Sequence, residues 1–457
     1  MRQVTALLIA LALTASSVMV ANAVSDSERS RWNTWGFKAP MSTPRVDLGV
    51  AVVKGKIYAI GGESATNEMY DPATDTWNES KASMPTPRKG FGIAAYQDKI
   101  YAIGGLTDSD DDYYEELTGV NEVYNPATDT WENMTPMPTK RYGIDANVVE
   151  GKIYVIGGKN ASGWIDRVNE VYDPATDSWT TKASIPTRVS YYASAVVDNK
   201  IYVIGGYHGF EYTNLTQIYD PETDTWSNGT PIPNSFSPLI TPQAVATTGV
   251  WAPKRIYVIG ASPPYGITSL TGYVFVVNNV PTQIYDPEKD AWSIGAAMLN
   301  PRIRFGITVV DDIVYAIGGT GSMVLSFQSC NDNQQYTPYE YGTVPPVVSV
   351  VSPENENYTS SNVSLAFTVN KPAVWLGYSL DGQEAATITG NTTLSGLSSG
   401  IHNITVYAKD AFGNEGASKT ITFRIEEPFP VAIVAAVAVA VAVTAVGVLI
   451  FFRKRSR

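Results

Sequence analysis

The chain has 457 residues, of which 44% are hydrophobic and 11% aromatic, so it can build a substantial folded core and is neither disordered nor fibrous. Its formal net charge is -12, and four of its basic residues lie in the last five positions, so the rest of the chain is still more acidic, which argues against nucleic acid as a partner. One cysteine, Cys330, and two histidines, His208 and His402, leave no material for disulfide scaffolds, Cys/His zinc sites or histidine-dependent triads.

Residues 1–23 predict a secretory signal peptide. Arg2 precedes an apolar run from Val4 to Leu13, and Ala21-Asn22-Ala23 has the small-x-small form that signal peptidase accepts. The alternative is a membrane anchor that is retained, because apolar residues continue beyond that run. Either interpretation places the following chain outside the cytoplasm.

The apolar segment at residues 431–452 predicts a single transmembrane helix. This segment carries no charge and is long enough to cross a hydrocarbon layer of about 30 Å. By the positive-inside bias, the basic tail at 453–457 lies in the cytoplasm and the N-terminal ectodomain lies outside. A glycolipid-anchor signal would end in its apolar part, so the RKRSR terminus argues against that alternative. The sequence thus predicts a single-pass protein of the cell membrane.

The predicted extracellular region has one cysteine and does without disulfides, which is more typical of a prokaryotic cell surface than of an animal one. Its Asn-x-Ser/Thr sequons make it a candidate glycoprotein. The candidate acceptors are Asn78, Asn133, Asn160, Asn214, Asn228, Asn357, Asn362, Asn391 and Asn403.

A repeated unit fills the chain up to about residue 342. Its first marker is an apolar strand that ends in Gly-Gly, as in KIYAIGG at Gly61-Gly62, and six copies or close variants occur. Its second marker is a turn of the form Asp-Pro-x-Thr-Asp followed by tryptophan, as in NEMYDPATDTW ending at Trp77. Its third is Pro-Arg or a related dipeptide before another strand. The last copy has lost its tryptophan, whereas an unmatched tryptophan segment around Trp35 precedes the first copy.

Each unit predicts four antiparallel strands, which we name a to d. A single such sheet cannot bury two apolar faces, so the units must stack, and stacking around an axis leaves only short edges. In its Gly-Gly, Tyr-Asp-Pro and Trp positions, the chain resembles the kelch family of β-propellers. The resemblance implies a six-bladed propeller over residues 32–342, which the N-terminal strand closes by completing the last blade.

Residues 346–426 change in composition toward Val, Ser, Thr and Asn, with alternating strands such as NVSLAFTV and HNITVYAKD. They resemble bacterial and archaeal immunoglobulin-like surface domains, which implies a β-sandwich that acts as a spacer. The predicted fold class is therefore all-β: a six-bladed kelch-type β-propeller, an immunoglobulin-like β-sandwich and one C-terminal transmembrane helix.

In the predicted up-and-down blades, the b-to-c and d-to-a connections emerge on one end of the ring, which we call the loop face. The b-to-c loops differ among the copies, and variable loops on a rigid frame are where binding usually resides. We therefore expect a non-enzymatic cell-surface binding or adhesion protein whose loop face contacts an extracellular protein or glycan.

Two groups of side chains are the candidate ligand-binding residues of the loop face. Arginines at the start of the innermost strands could ring the channel mouth and bind an anion such as a uronic acid; alternatively, as is common in kelch repeats, they tie adjacent loops together. These arginines are Arg45, Arg88, Arg141, Arg188 and Arg302. Loop aromatics suit both sugar stacking and protein contacts, and those selected are Trp164, Tyr207, Tyr212 and Tyr265.

A calcium site is the one metal hypothesis that the sequence offers, and no other cofactor is expected. Asp108, Asp110 and Asp112 have the D-x-D-x-D spacing that can surround a hard cation. A calcium loop of the common type needs Gly at its sixth position, where this chain has Tyr113. A solvated acidic loop is the alternative.

Two other functions stay open. The resemblance to kelch-type enzymes allows a sialic acid epimerase-like activity on an acidic sugar, which needs only arginines and carboxylates around the channel. Copper oxidase chemistry is disfavoured because it needs His ligands and a Cys paired with Tyr. The third alternative is a purely structural component of the cell envelope.

Overall fold

The computed structural model describes residues 32–108, 115–209, 211–233, 239–262, 267–269, 272–274, 278–321, 329–427 and 431–455. The predicted signal peptide lies outside these residues. The chain divides into two compact units, Met1–Val344 and Pro345–Arg457.

The described part of the first unit forms six antiparallel sheets of four main strands, which we call blades 1 to 6. Strand β1 (Thr34–Lys38) precedes blade 1. Blades 1 to 3 then contain β2 (Gly49–Val53), β3 (Lys56–Ile60), β4 (Asn67–Asp71), β5 (Thr76–Asn78), β6 (Gly92–Tyr96), β7 (Lys99–Ile103), β8 (Leu106–Asp108), β9 (Glu115–Leu117), β10 (Asn121–Asn125), β11 (Thr130–Met134), β12 (Ala146–Val149), β13 (Lys152–Ile156), β14 (Asn169–Asp173) and β15 (Ser178–Lys182).

Blades 4 to 6 follow the same plan with more additions in their loops. They contain β16 (Ala193–Val197), β17 (Lys200–Ile204), β18 (Thr216–Asp220), β19 (Thr225–Gly229), β20 (Ile240–Ala246), β21 (Ile256–Ser262), β22 (Ile267–Ser269), β23 (Gly272–Val274), β24 (Asn278–Asn279), β25 (Pro281–Asp286), β26 (Ala291–Ala297), β27 (Arg302–Ile303), β28 (Gly306–Val310), β29 (Ile313–Ile317), β30 (Thr320–Gly321) and β31 (Asn333–Thr337). The short pairs β8–β9, β22–β23 and β27–β30 lie outside the main blade sheets.

The blades close into a ring. Each innermost strand contacts the innermost strand of the next blade, and β28 of blade 6 contacts β2 of blade 1. The Gly-Gly strands are buried on both faces, as in β3, whose last four residues are all buried. This burial explains why these strands read as apolar runs rather than alternating patterns.

Blade 6 joins the two ends of this unit. Its strand order is β28, β29, β31 and then β1, so its outermost strand comes from the start of the chain. β1 is antiparallel to β31, in a register from Thr34 opposite Thr337 to Lys38 opposite Asn333. Each residue of β1 thus has a partner in the last repeat.

A recurring set of contacts, which we call the staple, joins each blade to the one before it. In blade 3, the Trp179 indole N–H donates to the backbone carbonyl of Thr135 in blade 2 at 2.9 Å, and Asp177 accepts from the Thr135 N–H at 2.8 Å. The buried Tyr172 hydroxyl donates to the same Asp177 carboxylate at 2.7 Å. Each staple therefore satisfies backbone groups of the preceding blade while it buries two aromatic rings.

At the ring closure, β1 supplies the staple of blade 6. The Trp35 indole donates to the Ala296 carbonyl of blade 5 at 3.1 Å, and its ring centroid lies 5.2 Å from that of Tyr336. Asn33 takes the aspartate position, since its Oδ1 accepts from the Ala296 N–H and from the Tyr336 hydroxyl. Blade 1 in turn binds the segment that follows β1, because the Trp77 indole N–H donates to the Ala39 carbonyl at 2.7 Å.

The second unit contains two sheets. Their strands are β32 (Val348–Ser352), β33 (Asn357–Tyr358), β34 (Val363–Val369), β35 (Trp375–Leu380), β36 (Ala386–Ile388), β37 (Thr392–Leu394), β38 (Gly400–Lys409), β39 (Glu415–Ala417) and β40 (Ile421–Ile425). One sheet has the order β32-β34-β37, and the other is built on β33-β40-β38-β35-β36. Residues of both sheets, such as Leu365 and Val406, share one buried core, so the two sheets pack face to face. The immunoglobulin-like assignment stays a prediction.

Helix α1 (Val431–Arg455) follows this sandwich. Within the part of the chain that the structure describes, no helix is found to combine the length and hydropathy needed to cross a membrane. Membrane attachment stays a prediction from the sequence.

Candidate functional site

The d-to-a loops meet around the axis of the ring in a belt of backbone hydrogen bonds. The N–H of Asp47 donates to Arg304 O at 2.9 Å, Gly90 to Asp47 at 3.2 Å, Gly143 to Gly90 at 2.8 Å, and Tyr191 to Gly143 at 2.9 Å. All five residues have positive φ angles, between 49° and 62°. Because this conformation is unfavourable for residues other than glycine, the belt holds Asp47, Tyr191 and Arg304 in a backbone geometry that the ring imposes.

Four of the five candidate arginines lie inside the blades. Their exposed fractions are 2% or less, for Arg45, Arg88, Arg141 and Arg302. In blade 3, the Arg141 guanidinium donates to Glu170 Oε2 at 2.8 Å and to the carbonyls of Gly157 and Val168. The prediction that these four residues ring the channel mouth is therefore wrong, because each guanidinium is consumed by groups of its own blade. The contacts support the structural alternative, but they join each arginine to strands and loops of its own blade rather than to an adjacent d-to-a loop.

A buried glutamate accompanies the arginine in the first three blades. Arg45 pairs with Glu68, and Arg88 lies 2.9 Å from Glu122. Burial lowers the pKa of the arginines of these three blades, to about 10 for Arg88, while the glutamates oppose the shift. In each pair, the buried counter-charge replaces the water that would otherwise hydrate the two groups. Neither partner is therefore free for a ligand.

Blade 4 departs from this pattern by one residue. Val189, which is fully buried, occupies the inward position that Arg141 holds in blade 3, and Arg188 lies one residue earlier with its side chain exposed. The glutamate is replaced by Gln217, whose amide pairs with the backbone of Thr187 at 2.7 and 3.0 Å. The missing c-strand glutamate does not by itself separate Arg188 from the other arginines, because Arg302 is buried although Gln334 takes the glutamate position in blade 6. The sequence signal is the offset of one residue, which places Val189 rather than Arg188 at the buried position.

Arg188 lines a pocket of about 260 Å³ between the loops of blades 3 and 4, which we call the blade 3–4 pocket. The other lining residues are Ser162, Gly163, Trp164, Ile165, Tyr207, His208 and Gly209. The Trp164 side chain is 62% exposed, and the Trp164 backbone is held by Asn160, whose Oδ1 accepts from its N–H at 3.2 Å. The structure thus brings three of the predicted residues, Trp164, Arg188 and Tyr207, to one place.

A lysine and four tyrosines extend this surface toward the axis. Lys159 Nζ lies 4.8 Å from the ring centroid of Tyr207, 5.6 Å from that of Tyr191 and 6.0 Å from that of Tyr142. Tyr212 packs against Tyr207 with a centroid distance of 5.4 Å. Burial lowers the pKa of Lys159, and the aromatic faces stabilise its cationic form. Tyr212 therefore supports the pocket from behind rather than lining it.

Below the belt, an axial cavity of about 200 Å³ is lined by the inner strands. Arg304 and Asp47 form a two-point ion pair at its wall, with Arg304 Nε 2.9 Å from Asp47 Oδ1. Asp145 also lines the cavity, and burial raises its pKa to about 7 despite a hydrogen bond from the Ser194 hydroxyl at 3.0 Å. An elevated pKa in a cavity marks a candidate functional group.

Sequence reasoning missed Asp145, although a comparison of the repeats carries a signal for it. The corresponding inner-strand position is glycine in three other blades, as Gly49, Gly92 and Gly306, and Ala193 in blade 4. A Cβ on Gly306 would lie 2.1 Å from Val50, so glycine there is required by close packing at the axis. An aspartate at this position is the exception among those blades.

Several predicted sites fall partly outside the described residues. Tyr265, Asp110 and Asp112 are among the residues that are not described, whereas Asp108 is an exposed residue of β8. Among the residues that are described, no group of three or more His, Cys, Asp or Glu side chains could hold a metal ion. The calcium hypothesis is therefore neither supported nor tested at Asp110 and Asp112.

The sequon asparagines differ in accessibility. Seven are exposed, namely Asn78, Asn133, Asn228, Asn357, Asn362, Asn391 and Asn403. Asn160 and Asn214 are half-buried, and their side chains hold the loops of blades 3 and 4 through hydrogen bonds. Glycosylation stays a prediction, and these two positions are the least suited to it.

Comparisons with known proteins identify the repeats. The KLHDC2/KLHL20/DRC7 Kelch-repeats domain matches residues 93–319, and the Kelch motif matches residues 44–81. The solved chain titled "Structure of YjhT" superposes with a TM-score of 0.54 at 17% identity, covering 64% of this chain and 95% of that one. The chain therefore carries kelch repeats folded as a β-propeller, which confirms the predicted ring.

Curated relatives match parts of the ring. Kelch-like protein 15 of Danio rerio is 28% identical over 290 residues, covering 63% of this chain and 32% of the relative. Kelch-like protein 7 of Gallus gallus is 41% identical over 139 residues, covering 30% of this chain and 24% of the relative. Halomucin of Haloquadratum walsbyi is 41% identical over 91 residues, covering 18% of this chain and 1% of the relative. The chain thus spans a third or less of the length of these relatives.

Proposed function

We propose that this protein is a non-enzymatic cell-surface receptor or adhesion protein that binds an extracellular partner with the blade 3–4 pocket. The partner is a protein, with a glycan as the other ligand class that the pocket chemistry suits. The single observation that carries the proposal is the exposed Trp164 beside the exposed Arg188 in one pocket.

The chemistry of this pocket is that of an interface anchor. Trp and Arg are the side chains most enriched among residues that dominate binding energies, because one offers a large flat surface and the other a planar set of donors. Trp164 is 62% exposed although its backbone is fixed, so it is presented without the ordering cost of a mobile loop. Arg188 then favours a partner that places a carboxylate next to an aromatic or apolar group.

Localisation at the cell surface rests on the sequence. The proposal combines the predicted signal peptide, the uncharged segment 431–452 and the basic tail at 453–457. In this arrangement, the sandwich of residues 346–426 acts as a spacer that presents the ring to the outside. Protease treatment of intact cells that express the full chain tests it: digestion of the ring epitope supports exposure outside, and protection in intact but not in lysed cells contradicts it.

The binding proposal is tested with four forms of the full chain: wild type, Trp164→Ala, Arg188→Ala and Phe37→Ala. Phe37 is the matched control because it is an aromatic residue of similar exposure, 57%, on the outer strand of blade 6. Each form is applied to a glycan array and to an array of purified extracellular proteins. We expect one ligand class that binds wild type and Phe37→Ala, with at least tenfold weaker binding by the two pocket variants.

Three outcomes would contradict the proposal. A ligand whose affinity is unchanged in Trp164→Ala and Arg188→Ala would place the binding surface elsewhere. No ligand on either array would favour the alternative of a purely structural envelope component. Turnover of an acidic sugar by wild type would favour the epimerase-like alternative, although its predicted arginine ring is buried in the blades.

A further inference from the structure

The axial cavity contains a carboxylate that differs from the other charged groups of its wall. Asp47 is neutralised by Arg304. Asp145 receives hydrogen bonds from Ser194, and among the described residues it forms no ion pair. The cavity thus carries one negative charge in excess whenever Asp145 is ionised.

Ser194 donates to Asp145 through its backbone N–H and its hydroxyl, but the hydroxyl is shared with a second acceptor. The Ser194 hydroxyl has one proton and two acceptors in reach, Asp145 Oδ2 at 3.0 Å and Asn147 Oδ1 at 3.1 Å. The Asn147 amide already donates to Ser194 Oγ, at 2.9 Å. Whichever acceptor takes the proton, the other keeps a lone pair, so a ligand with hydrogen-bond donors finds an acceptor on this wall.

The rest of the cavity wall suits a small cation. Phe91, Tyr192 and Phe305 are among its lining residues. The Arg88 and Arg302 guanidinium carbons lie 5.8 Å and 5.9 Å from the ring centroids of Phe91 and Phe305, so these rings already pack against cations. The other titratable groups near Asp145 are accounted for: burial raises the pKa of Tyr191 and Tyr192, so both are neutral, and Arg141 is paired with Glu170. A volume of about 200 Å³ accommodates a ligand of a few heavy atoms.

We propose that the axial cavity is a binding site for a small primary amine, with Asp145 as the counter-ion of its ammonium group and Asn147 Oδ1 and Ser194 Oγ as further acceptors. An ammonium group has three N–H donors, which matches the three oxygens on this wall. The site is separate from the blade 3–4 pocket and does not depend on the function proposed for it. Removal of the charge at Asp145 removes the counter-ion and leaves the cavity shape unchanged.

The ionisation of Asp145 gives the site a pH dependence. Burial raises its pKa to about 7, so at pH 6 most of the carboxyl groups are protonated and the site lacks its counter-ion. A simple aliphatic amine stays protonated up to about pH 9. Binding of the ammonium ion is therefore expected to strengthen from pH 6 to pH 8, since the proton and the ligand compete for the same carboxylate.

The experiment is calorimetric titration of the full chain with methylammonium chloride at pH 6 and pH 8, at constant ionic strength. The variants are Asp145→Asn, which keeps the shape and the bond to Ser194, and Asp98→Asn as control. Asp98 is an exposed aspartate of the β6–β7 turn, paired only with Lys54 among the described residues. Sodium chloride and tetramethylammonium chloride are the comparison ligands, because neither has an N–H donor.

We expect methylammonium to bind wild type and Asp98→Asn at pH 8, at least fivefold more weakly at pH 6, and at least tenfold more weakly in Asp145→Asn. Equal affinity in Asp145→Asn, equal affinity for sodium or tetramethylammonium, or no heat with methylammonium would each overturn the proposal. If Asp145→Asn does not fold, Ser194→Ala replaces it, with an expected loss of threefold or more at pH 8 and with unchanged affinity as the contrary result.

Discussion

Blades 3 and 4 are neighbours built from the same repeat, and they differ at the positions that matter for binding. Blade 3 buries the Arg141–Glu170 pair, whereas blade 4 buries Val189 and pairs Gln217 with the backbone. The shift of one residue moves the arginine of blade 4 from the interior to the surface. The arginine separated from Pro-Thr by one residue is therefore a structural residue in blade 3, and the arginine directly after Pro-Thr is a ligand-binding candidate in blade 4.

The two blades also differ beside the axis. Asp145 enters the inner strand of blade 3, where blade 4 has Ala193. The next residue of blade 4, Ser194, reaches across to blade 3, where its hydroxyl donates to Asp145 at 3.0 Å. The repeat thus tolerates polar groups at the axis when the adjacent blade supplies a hydrogen-bond partner.

The largest effect is expected at the closure of the ring. Blade 6 has there the same kind of staple that blades 3 and 4 have. Deletion of Trp32–Pro40 removes β1 and the staple of blade 6 and leaves β31 as an open edge. Burial of Trp35 alone is worth up to about 5 kcal/mol, from about 200 Å² of surface. We expect a lowered melting temperature and an open ring, measured by calorimetry and small-angle scattering. Phe37→Ala in the same strand is the control, and an unchanged melting temperature in the deletion would disprove closure by this strand.

The substitution Glu170→Gln tests the buried ion pair that blade 3 has and blade 4 lacks. It leaves the Arg141 charge buried without its partner. We expect a loss of about 3–5 kcal/mol in the free energy of unfolding, measured by denaturant titration. The double variant Arg141→Met/Glu170→Gln gives blade 3 the apolar-plus-glutamine combination of blade 4.

The double variant is expected to be more stable than Glu170→Gln, because it removes the unpaired charge. Gln217→Ala in blade 4 serves as the matched control and loses about 1–3 kcal/mol, because two backbone groups of Thr187 lose their partners. Equal losses in Glu170→Gln and Gln217→Ala would mean that the buried charge in blade 3 has no special cost.

A smaller effect is expected from Asp145, the aspartate on the inner strand of blade 3, as a change of stability with pH. The pKa of Asp145 is raised to about 7 in the folded protein, from a value near 4 in the unfolded chain. The folded state therefore holds the proton more tightly, and stability from this group is present at low pH and is lost as the pH rises through 7. The stability of wild type relative to Asp145→Asn is expected to fall from pH 5 to pH 8 in melting experiments. Parallel curves for the two proteins would contradict an elevated pKa.

The smallest effect on stability is expected at Arg188, where blade 4 differs most in function. Since its side chain is exposed, Arg188→Ala should change the free energy of unfolding by no more than about 0.5 kcal/mol. The same substitution is expected to weaken ligand binding by at least tenfold. A loss of stability comparable to that of Glu170→Gln would show that Arg188 has the buried role of its counterparts.

Much of the ring was accessible from the sequence because its repeats report directly on packing. A strand such as KIYVI must be covered on both faces, and a Tyr-Asp-Pro turn followed by tryptophan recurs with each blade. The missing tryptophan of the last repeat pointed to Trp35 as its replacement, and Trp35 does occupy that position. Periodicity and turn chemistry depend on residues that are close in the sequence, so the sequence alone reveals them.

The candidate site was only partly accessible, because it depends on which way each loop side chain points. Trp164 and Tyr207 were identified as loop aromatics, but their meeting with Arg188 and His208 depends on the packing of two different blades. The burial of Arg141 and the exposure of Arg188 were not distinguished, because both lie shortly after a Pro-Thr dipeptide and the offset of one residue was not used.

The amino-acid sequence by itself determined the number of blades, the strand that closes the ring and the positions of the variable loops, since these follow from repeated local patterns. Only the tertiary structure decided which arginines are buried, that Asp145 lines a cavity and has no ion-pair partner among the described residues, and that Trp164 and Arg188 share a pocket. The physical reason is that solvation and charge pairing depend on neighbours from other blades, and closure of the ring brings those neighbours together.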